Sequence, residues 1–201
     1  MEDLEILLDR LDIQNPILCG QSFGGSIAQS YTVRHPTSVR ALVLSGSMVA
    51  IDLSWLDKLL CRVLFPEWLM AAAINTMSVK RFTRFSLWLG RLTRGKQFMS
   101  RYDDTSEYLE QCMLQMDSKE YLKFWHALYG FRLQPLEKIS CPALILNGEF
   151  ESKSMRPHTQ ELLRRIARAE ARIIPAAHHA SNMDNPQAFN AIIEDFLHRS
   201  C

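Results

Sequence analysis

The chain has no excess of charge of either sign, and this limits the partners that it can attract electrostatically. Lys and Arg together number 23, Asp and Glu number 22, and the formal net charge is +1. A protein that holds nucleic acid through its phosphates needs a basic surface. We therefore expect no nucleic-acid partner.

The sequence also lacks a long apolar run, a signal-peptide pattern and a metal-binding cysteine pattern. No apolar stretch reaches the length of a membrane span. The start, Met1-Glu2-Asp3, is acidic, whereas a signal peptide begins with positive charge. The five cysteines are odd in number and scattered without ligand spacing: Cys19, Cys61, Cys112, Cys141 and Cys201. These features predict reduced thiols, no metal site and a cytoplasmic location.

The order of apolar patterns predicts parallel βαβ construction on both sides of a helical insertion. Residues 47–133 contain no strand-like run, so that segment is expected to be helical throughout. The flanking segments, 1–46 and 134–201, are expected to form one α/β core. Predicted strands cover 17–19, 39–44, 142–146 and 171–174; predicted helices include 2–12, 159–167 and 187–197.

A G-x-S-x-G pattern connects the first predicted strand to the helix that follows it. Its residues are Gly20-Gln21-Ser22-Phe23-Gly24. A sharp strand-to-helix turn needs small neighbours and leaves the central side chain exposed at the carboxyl edge of the sheet. Ser22 is therefore the candidate nucleophile, with Gly20 and Gly24 as the small neighbours. Gly25, with Ala28, is expected to let the helix pack close to the sheet. The alternative is a glycine-rich turn in which the serine only caps the helix.

With this motif the chain resembles the α/β-hydrolase family, particularly its cap-bearing esterases and carbon–carbon bond hydrolases. In that family an acid follows a later strand in the pattern P-x-L-x-x-x-G-x-x-D. Pro142, Leu144, Gly148 and Glu151 occupy those positions, so Glu151 stands where the family usually has Asp. A glutamate can also orient the catalytic imidazole. Glu149, two residues earlier, remains the alternative acid.

The histidine of the resemblance follows the last predicted strand. Residues 175–186 resemble the family's A-G-H-x-x-N-x-x-x-P loop, and counting back from Asn182 and Pro186 identifies His179 as the base. His178 occupies the place of the family's glycine and remains the alternative. Four histidines outside any motif are expected to be surface or packing residues: His35, His126, His158 and His198. Asp184 is expected to cap the final helix.

The resemblance implies acyl transfer without a cofactor or metal. His179 would accept the proton of Ser22 as the serine attacks a carbonyl, and Glu151 would hold the imidazole in the correct tautomer. The backbone N–H of Phe23 would bind the oxyanion.

The resemblance further implies a partial α/β-hydrolase fold: a mostly parallel sheet with flanking helices and a helical cap over 47–133. In the family, strands precede the one at 17–19, and one of their loops supplies a second oxyanion donor. Nothing in residues 1–14 resembles that loop. We therefore expect strand 17–19 to lie at a bare sheet edge, where self-association is possible.

The helical insertion suggests the substrate class. It is rich in aromatic residues and methionine, including Met70, Met77, Met99, Met113 and Met116. Such residues suit the lining of a cap over an apolar substrate, although they more often form helical cores. The expected function is hydrolysis of a small or medium apolar ester or related carbonyl compound. The alternative is a non-catalytic homologue that keeps the triad by descent.

A basic stretch in the insertion has two interpretations. Its cations, with no acid between them, are Lys80, Arg81, Arg84, Arg91, Arg94, Lys96 and Arg101. Aromatic and aliphatic residues alternate with them, as in helices that lie on anionic membranes. The commoner interpretation, and the one that the sequence favours, is a solvated helix face.

Overall fold

The computed structural model describes residues 2–53 and 55–200, and within them the chain divides into two units. The first unit combines Met1–Val49 with Leu133–Cys201, and the second is Ala50–Arg132. Met1 and Cys201, which were considered above, lie outside the described residues.

The first unit contains a four-stranded sheet in which every strand is parallel to its neighbours. The strands are β1 (Ile17–Gln21), β2 (Ala41–Ser45), β3 (Ala143–Gly148) and β4 (Ala169–Ile174), and they are ordered along the sheet as they are along the chain. In the register, Gln21 pairs with Ser45 and Gly148 with Ile174. The carboxyl ends of all four strands therefore meet at one edge.

Helices flank this sheet, and some of them connect successive strands. They are α1 (Glu2–Arg10), α2 (Phe23–Arg34), α8 (Arg156–Arg165), the short α9 (Ser181–Asp184) and α10 (Pro186–Ser200). The β2 side chains are buried along the whole strand, as expected for an apolar run covered on both faces. Phe189 and Phe196 of α10 pack in a cluster with Val43, Leu144 and Leu146 of the central strands. That cluster anchors the strands whose ends carry the site.

The second unit is built from helices. They are α3 (Trp55–Leu59), a π-helical turn (Leu60–Leu64), α4 (Glu67–Met77), α5 (Val79–Arg94), α6 (Asp103–Leu114) and α7 (Ser118–Gly130). Ile74, Val79, Phe82 and Tyr121 form its buried core, with Met70, Met116 and Trp125 among the residues packed against it. Part of the insertion's aromatic and methionine content is thus core.

A cavity of about 210 Å³ lies within this helical unit. It is lined by Ile51, Asp52, Cys61, Arg62, Pro66, Glu67, Tyr129 and Arg132. Burial raises the pKa of the Tyr129 phenol to about 12, and its hydroxyl donates to the Phe65 carbonyl at 2.6 Å. The cavity contains none of the residues that the sequence nominated for catalysis.

The expected mostly parallel sheet with flanking helices is confirmed, with shifts at the ends of elements. For example, β1 runs two residues further than expected, to Gln21, and β4 begins two residues earlier, at Ala169. Across the described ranges no single helix is long and apolar enough to span a membrane. One bent pair, Asp57–Leu64 with Glu67–Met77, meets the criteria of length and composition together.

The two outer strands of the sheet differ in chemistry, which leads to a prediction. β4 carries charged residues, including Glu170, which pairs with Arg199 at 2.7 Å, whereas the β1 sequence ILCGQ has no charge. Uncharged outer strands invite pairing with other chains. We expect residues 1–201 to self-associate in sedimentation velocity and Ile17→Lys in β1 to reduce that association.

Ile173→Lys on β4 is the matched control, since Ile173 is also exposed, and it should leave association unchanged. A monomeric parent chain, or equal effects of the two lysines, would show that β1 is not the associating surface.

Candidate active site

The residues nominated from the sequence lie in loops that follow neighbouring strands. Ser22 follows β1, Glu151 follows β3 and His179 follows β4, while Gly46 follows β2. Because parallel strands end at the same edge, these four segments converge there. Hydrogen bonds join the histidine loop both to the loop after β3 and to the residue before Ser22.

Ser22 occupies a strained turn between β1 and α2. Its backbone has φ 54° and ψ −119°, a positive φ that costs a non-glycine residue about 1–3 kcal/mol. The strain is held from both sides: the Ser22 N–H donates to the Ser45 carbonyl at 2.8 Å, and the Ser22 carbonyl accepts from Gly25 N–H at 3.0 Å. Within the described residues the Ser22 side chain makes no capping hydrogen bond to α2. The capping alternative therefore lacks its defining contact.

The glycines that are needed for space in this turn differ from those that the motif predicts. A Cβ at Gly20 would lie 2.5 Å from the Gly25 backbone, and one at Gly25 would lie 1.7 Å from Ser47 Oγ. A Cβ at Gly24 would meet no other described atom within 4 Å. The expectation that Gly24 is needed for space was wrong, whereas the close packing expected at Gly25 is present, against Gly20 and Ser47.

Glu151 and His179 are joined by a hydrogen bond. The distance from His179 Nδ1 to Glu151 Oε2 is 2.9 Å, and the other carboxylate oxygen accepts from Ser152 N–H at 2.9 Å. The Glu151 side chain is 7% exposed and that of His179 is 26% exposed. A carboxylate only accepts, so Nδ1 carries the proton and Nε2 of the neutral ring is left as an acceptor.

The alternative residues make other contacts. Glu149 Oε2 accepts from the Ala176 N–H at 2.8 Å, which ties the β3 loop to the β4 loop. The His178 ring lies 5.3 Å from the Phe150 ring, and the backbone N–H of His178 donates to Asp184 Oδ2 at 2.8 Å.

Asp184 does not cap the final helix as expected. Its carboxylate accepts from His178, and Asn185 Oδ1 accepts from Ala188 N–H at 3.1 Å at the start of α10. The cap is one residue later because Asp184 is the last residue of α9 and is buried beneath the histidine loop.

Three residues to which the sequence patterns assign no such contact support this arrangement. A Cβ at Gly46, where φ is +52°, would lie 3.0 Å from the His179 ring and 3.2 Å from Glu151 Oε2. A Cβ at Gly148 would lie 2.2 Å from the His178 carbonyl oxygen. Gln21 Nε2 donates to the His179 carbonyl at 2.7 Å, which links the histidine loop to the residue before Ser22. The available signal was a glycine at or directly after the end of each central strand, Gly148 in β3 and Gly46 after β2.

Phe23, the nominated oxyanion donor, is the first residue of α2. The N–H groups of a helix's first turn point away from the helix body and carry its positive dipole end. The Phe23 amide is therefore oriented with the N-terminus of α2, next to Ser22.

The histidines outside the motifs take structural positions. His158 Nδ1 accepts from Val49 N–H at 3.3 Å and is buried. His35 pairs with Glu5 at 3.0 Å and His126 with Glu67 at 2.6 Å, while His198 is exposed on α10.

Comparison with known proteins agrees with this fold. A model of the alpha/beta hydrolase fold family matches residues 1–186 of the chain. The chain belongs to the α/β-hydrolase family.

Curated relatives of this α/β hydrolase have varied names. It is 29% identical to epoxide hydrolase 3 of Xenopus tropicalis over 98% of this chain, and it spans 56% of that protein. It is 24% identical to 3-oxoadipate enol-lactonase 2 of Acinetobacter baylyi, again over 98% of this chain and 69% of that protein. The family therefore does not specify the substrate.

Solved structures show the same fold. MenH from S. aureus superposes with a TM-score of 0.80 at 18% identity, covering 98% of this chain and 73% of that one. At that identity the likeness concerns the fold alone.

The glycine contacts predict a contrast in stability. Gly46→Ala adds a Cβ at positive φ against His179, and we expect it to lower the free energy of unfolding by about 1–3 kcal/mol. Gly24→Ala, within α2, has space and should leave that free energy unchanged or raise it by up to about 1 kcal/mol. Urea denaturation of both variants measures the difference. If Gly24→Ala were the more damaging, the loops would not approach at Gly46.

Proposed function

We propose that this α/β hydrolase is a serine hydrolase in which Ser22 is the nucleophile, His179 the general base and Glu151 the acid that orients the base. The observation that carries the proposal is the 2.9 Å hydrogen bond from His179 Nδ1 to Glu151 Oε2, in loops that meet the Ser22 turn. Serine, imidazole and carboxylate in that order along the chain are the arrangement of this fold's hydrolases.

The proposed reaction starts with attack of Ser22 Oγ on a substrate carbonyl. As the Oγ–C bond forms, His179 Nε2 accepts the hydroxyl proton, and Glu151 stabilises the imidazolium. The carbonyl oxygen becomes an oxyanion, and the Phe23 N–H at the N-terminus of α2 donates to it. When the tetrahedral intermediate collapses, its bond to the alcohol breaks and His179 returns the proton to the leaving oxygen.

A water molecule completes the cycle. His179 takes one of its protons while the remaining hydroxide attacks the acyl carbon, and the acyl–Oγ bond breaks to release a carboxylic acid. The proton then returns to Ser22. The preformed Glu151–His179 bond supports both halves, since it holds Nε2 as an acceptor before each attack.

The proposed substrate is a small or medium apolar ester or a related carbonyl compound, with the helical unit acting as a cap. Two observations support this class. The unit is inserted shortly after Gly46, at the end of β2, and it exposes Trp55 and Trp68, aromatic residues that its own core does not use. An apolar lining with few polar groups is typical of small-molecule sites.

A fluorophosphonate probe tests the nucleophile. The probe should phosphonylate Ser22 Oγ with loss of fluoride, and Ser22→Ala should abolish this labelling. The thermal midpoint should be retained, because the Ser22 side chain makes no capping hydrogen bond that the substitution would remove. Mass spectrometry of the labelled peptide gives the site.

Ser154→Ala is the control, because Ser154 is an exposed serine in the short 3-10 turn Lys153–Met155, near Glu151, and should label like the parent chain. A well-folded parent chain that takes no label would favour the non-catalytic alternative instead.

His178 and Glu149, the alternative base and acid, provide matched controls for His179 and Glu151. His179→Ala should lower p-nitrophenyl ester hydrolysis at least about a thousandfold, and Glu151→Gln about 100- to 10,000-fold through loss of the charge that stabilises imidazolium. His178→Ala and Glu149→Gln should each retain most of the rate, because their partners are Asp184 and Ala176. Steady-state kinetics would contradict the assignment if either control were the more damaging member of its pair.

A further inference from the structure

Helix α5 presents apolar residues to solvent on a face that its own unit does not cover. Val79 and Phe82 point into the helical core, and Leu87 is also buried. Another set, spaced by three and four residues, is exposed: Phe85 by 47%, Trp88 by 56% and Leu92 by 68%. We call Phe85, Trp88 and Leu92 the aromatic strip.

The aromatic strip is contiguous. The Phe85 and Trp88 rings lie 5.9 Å apart with their planes tilted by 30°. The solvent face of a surface helix is normally polar, because an apolar strip there has no partner to exclude water. Grouped exposed apolar residues mark an interaction surface more often than scattered ones do.

Cations flank this strip along one side and at its N-terminal end. Lys80, Arg84 and Arg91 recur at spacings of four and seven along one side of it, and Arg81 lies one turn before Phe85. The α5 sequence, VKRFTRFSLWLGRLTR, contains no acidic residue. Arg94, which ends the helix, has a side chain outside the described set.

An acidic residue of the neighbouring helix α6 pairs with two of these cations. Glu110 lies 3.8 Å from Arg84 and 3.5 Å from Arg91, so one carboxylate is shared between two guanidinium groups. Both arginines remain substantially exposed, with 61% and 44% of their side chains accessible. The face therefore keeps a positive excess.

This combination fits an anionic lipid surface better than a second copy of the chain. Lys and Arg can pass their apolar stems along lipid tails while the charges stay among headgroups, and Trp favours the same boundary. A two-fold pairing of the strip with itself would bring the same cations together. Charge complementarity thus favours a negatively charged layer with an apolar interior.

We infer that the aromatic strip and its flanking cations bind the surface of anionic membranes, with α5 lying in the plane of the headgroups. This membrane contact is independent of the proposed hydrolase activity, because it uses none of the residues at the carboxyl edge of the sheet.

Vesicle co-sedimentation of the full chain tests the inference. Vesicles of phosphatidylcholine with phosphatidylglycerol should bind the chain at least about tenfold better than phosphatidylcholine alone, and raised salt should weaken binding. Phe85→Ser/Trp88→Ser should reduce partitioning about tenfold or more, and Arg81→Gln about fivefold. Circular dichroism and the thermal midpoint should be unchanged, because these side chains are exposed.

Two matched variants separate this face from general effects. Tyr108→Ser removes an exposed aromatic on α6, and Lys119→Gln removes an exposed cation on α7; both should bind vesicles like the parent chain. The inference is overturned if the folded chain does not bind anionic vesicles. It is equally overturned if the strip variants bind as the parent does, or if they change only the oligomeric state in sedimentation velocity.

Discussion

The hydrogen bond between Glu151 and His179 depends on how closely three loops can approach at the carboxyl edge of the sheet. At Gly46 the space left by the missing side chain holds both the imidazole and the carboxylate. At Gly148 it holds the backbone of the histidine loop. Since protein interiors are close-packed, one methyl group at either position would displace the pair. The loops are also joined by the bond from Ala176 N–H to Glu149.

The same packing explains why a glutamate suits this position. The Glu151 carboxylate is nearly buried, yet both of its oxygens have partners, one on the imidazole and one on the Ser152 N–H. A buried carboxylate with satisfied oxygens is held in place and remains a good acceptor. Glu149, two residues earlier in the same loop, is exposed, and its carboxylate accepts a hydrogen bond from the backbone N–H of Ala176. Two carboxylates in one loop thus have different parts because their surroundings differ.

The helical unit divides its apolar residues between two uses. Phe82 and Tyr121 bury themselves in its core, whereas Phe85 and Trp88 remain exposed on the same helix as Phe82. Helical periodicity alone cannot separate these uses, because both sets recur at three- and four-residue spacing. Only the position of the neighbouring helices shows which stripe is covered and which stripe of α5 stays exposed.

By itself, the sequence determined the alternation of strands and helices, the parallel sheet and the position of the strand-to-helix turn at Ser22. These depend on short-range patterns of apolar residues and glycines, which set the local backbone conformation. Tertiary structure decided which glycine is needed for space, which residue caps α10, and which acid meets which histidine. Gly24 matched the motif but has open space, whereas Gly46 matched nothing and faces His179. Such contacts join loops far apart in the chain, so only the packing of the sheet's edge brings them together.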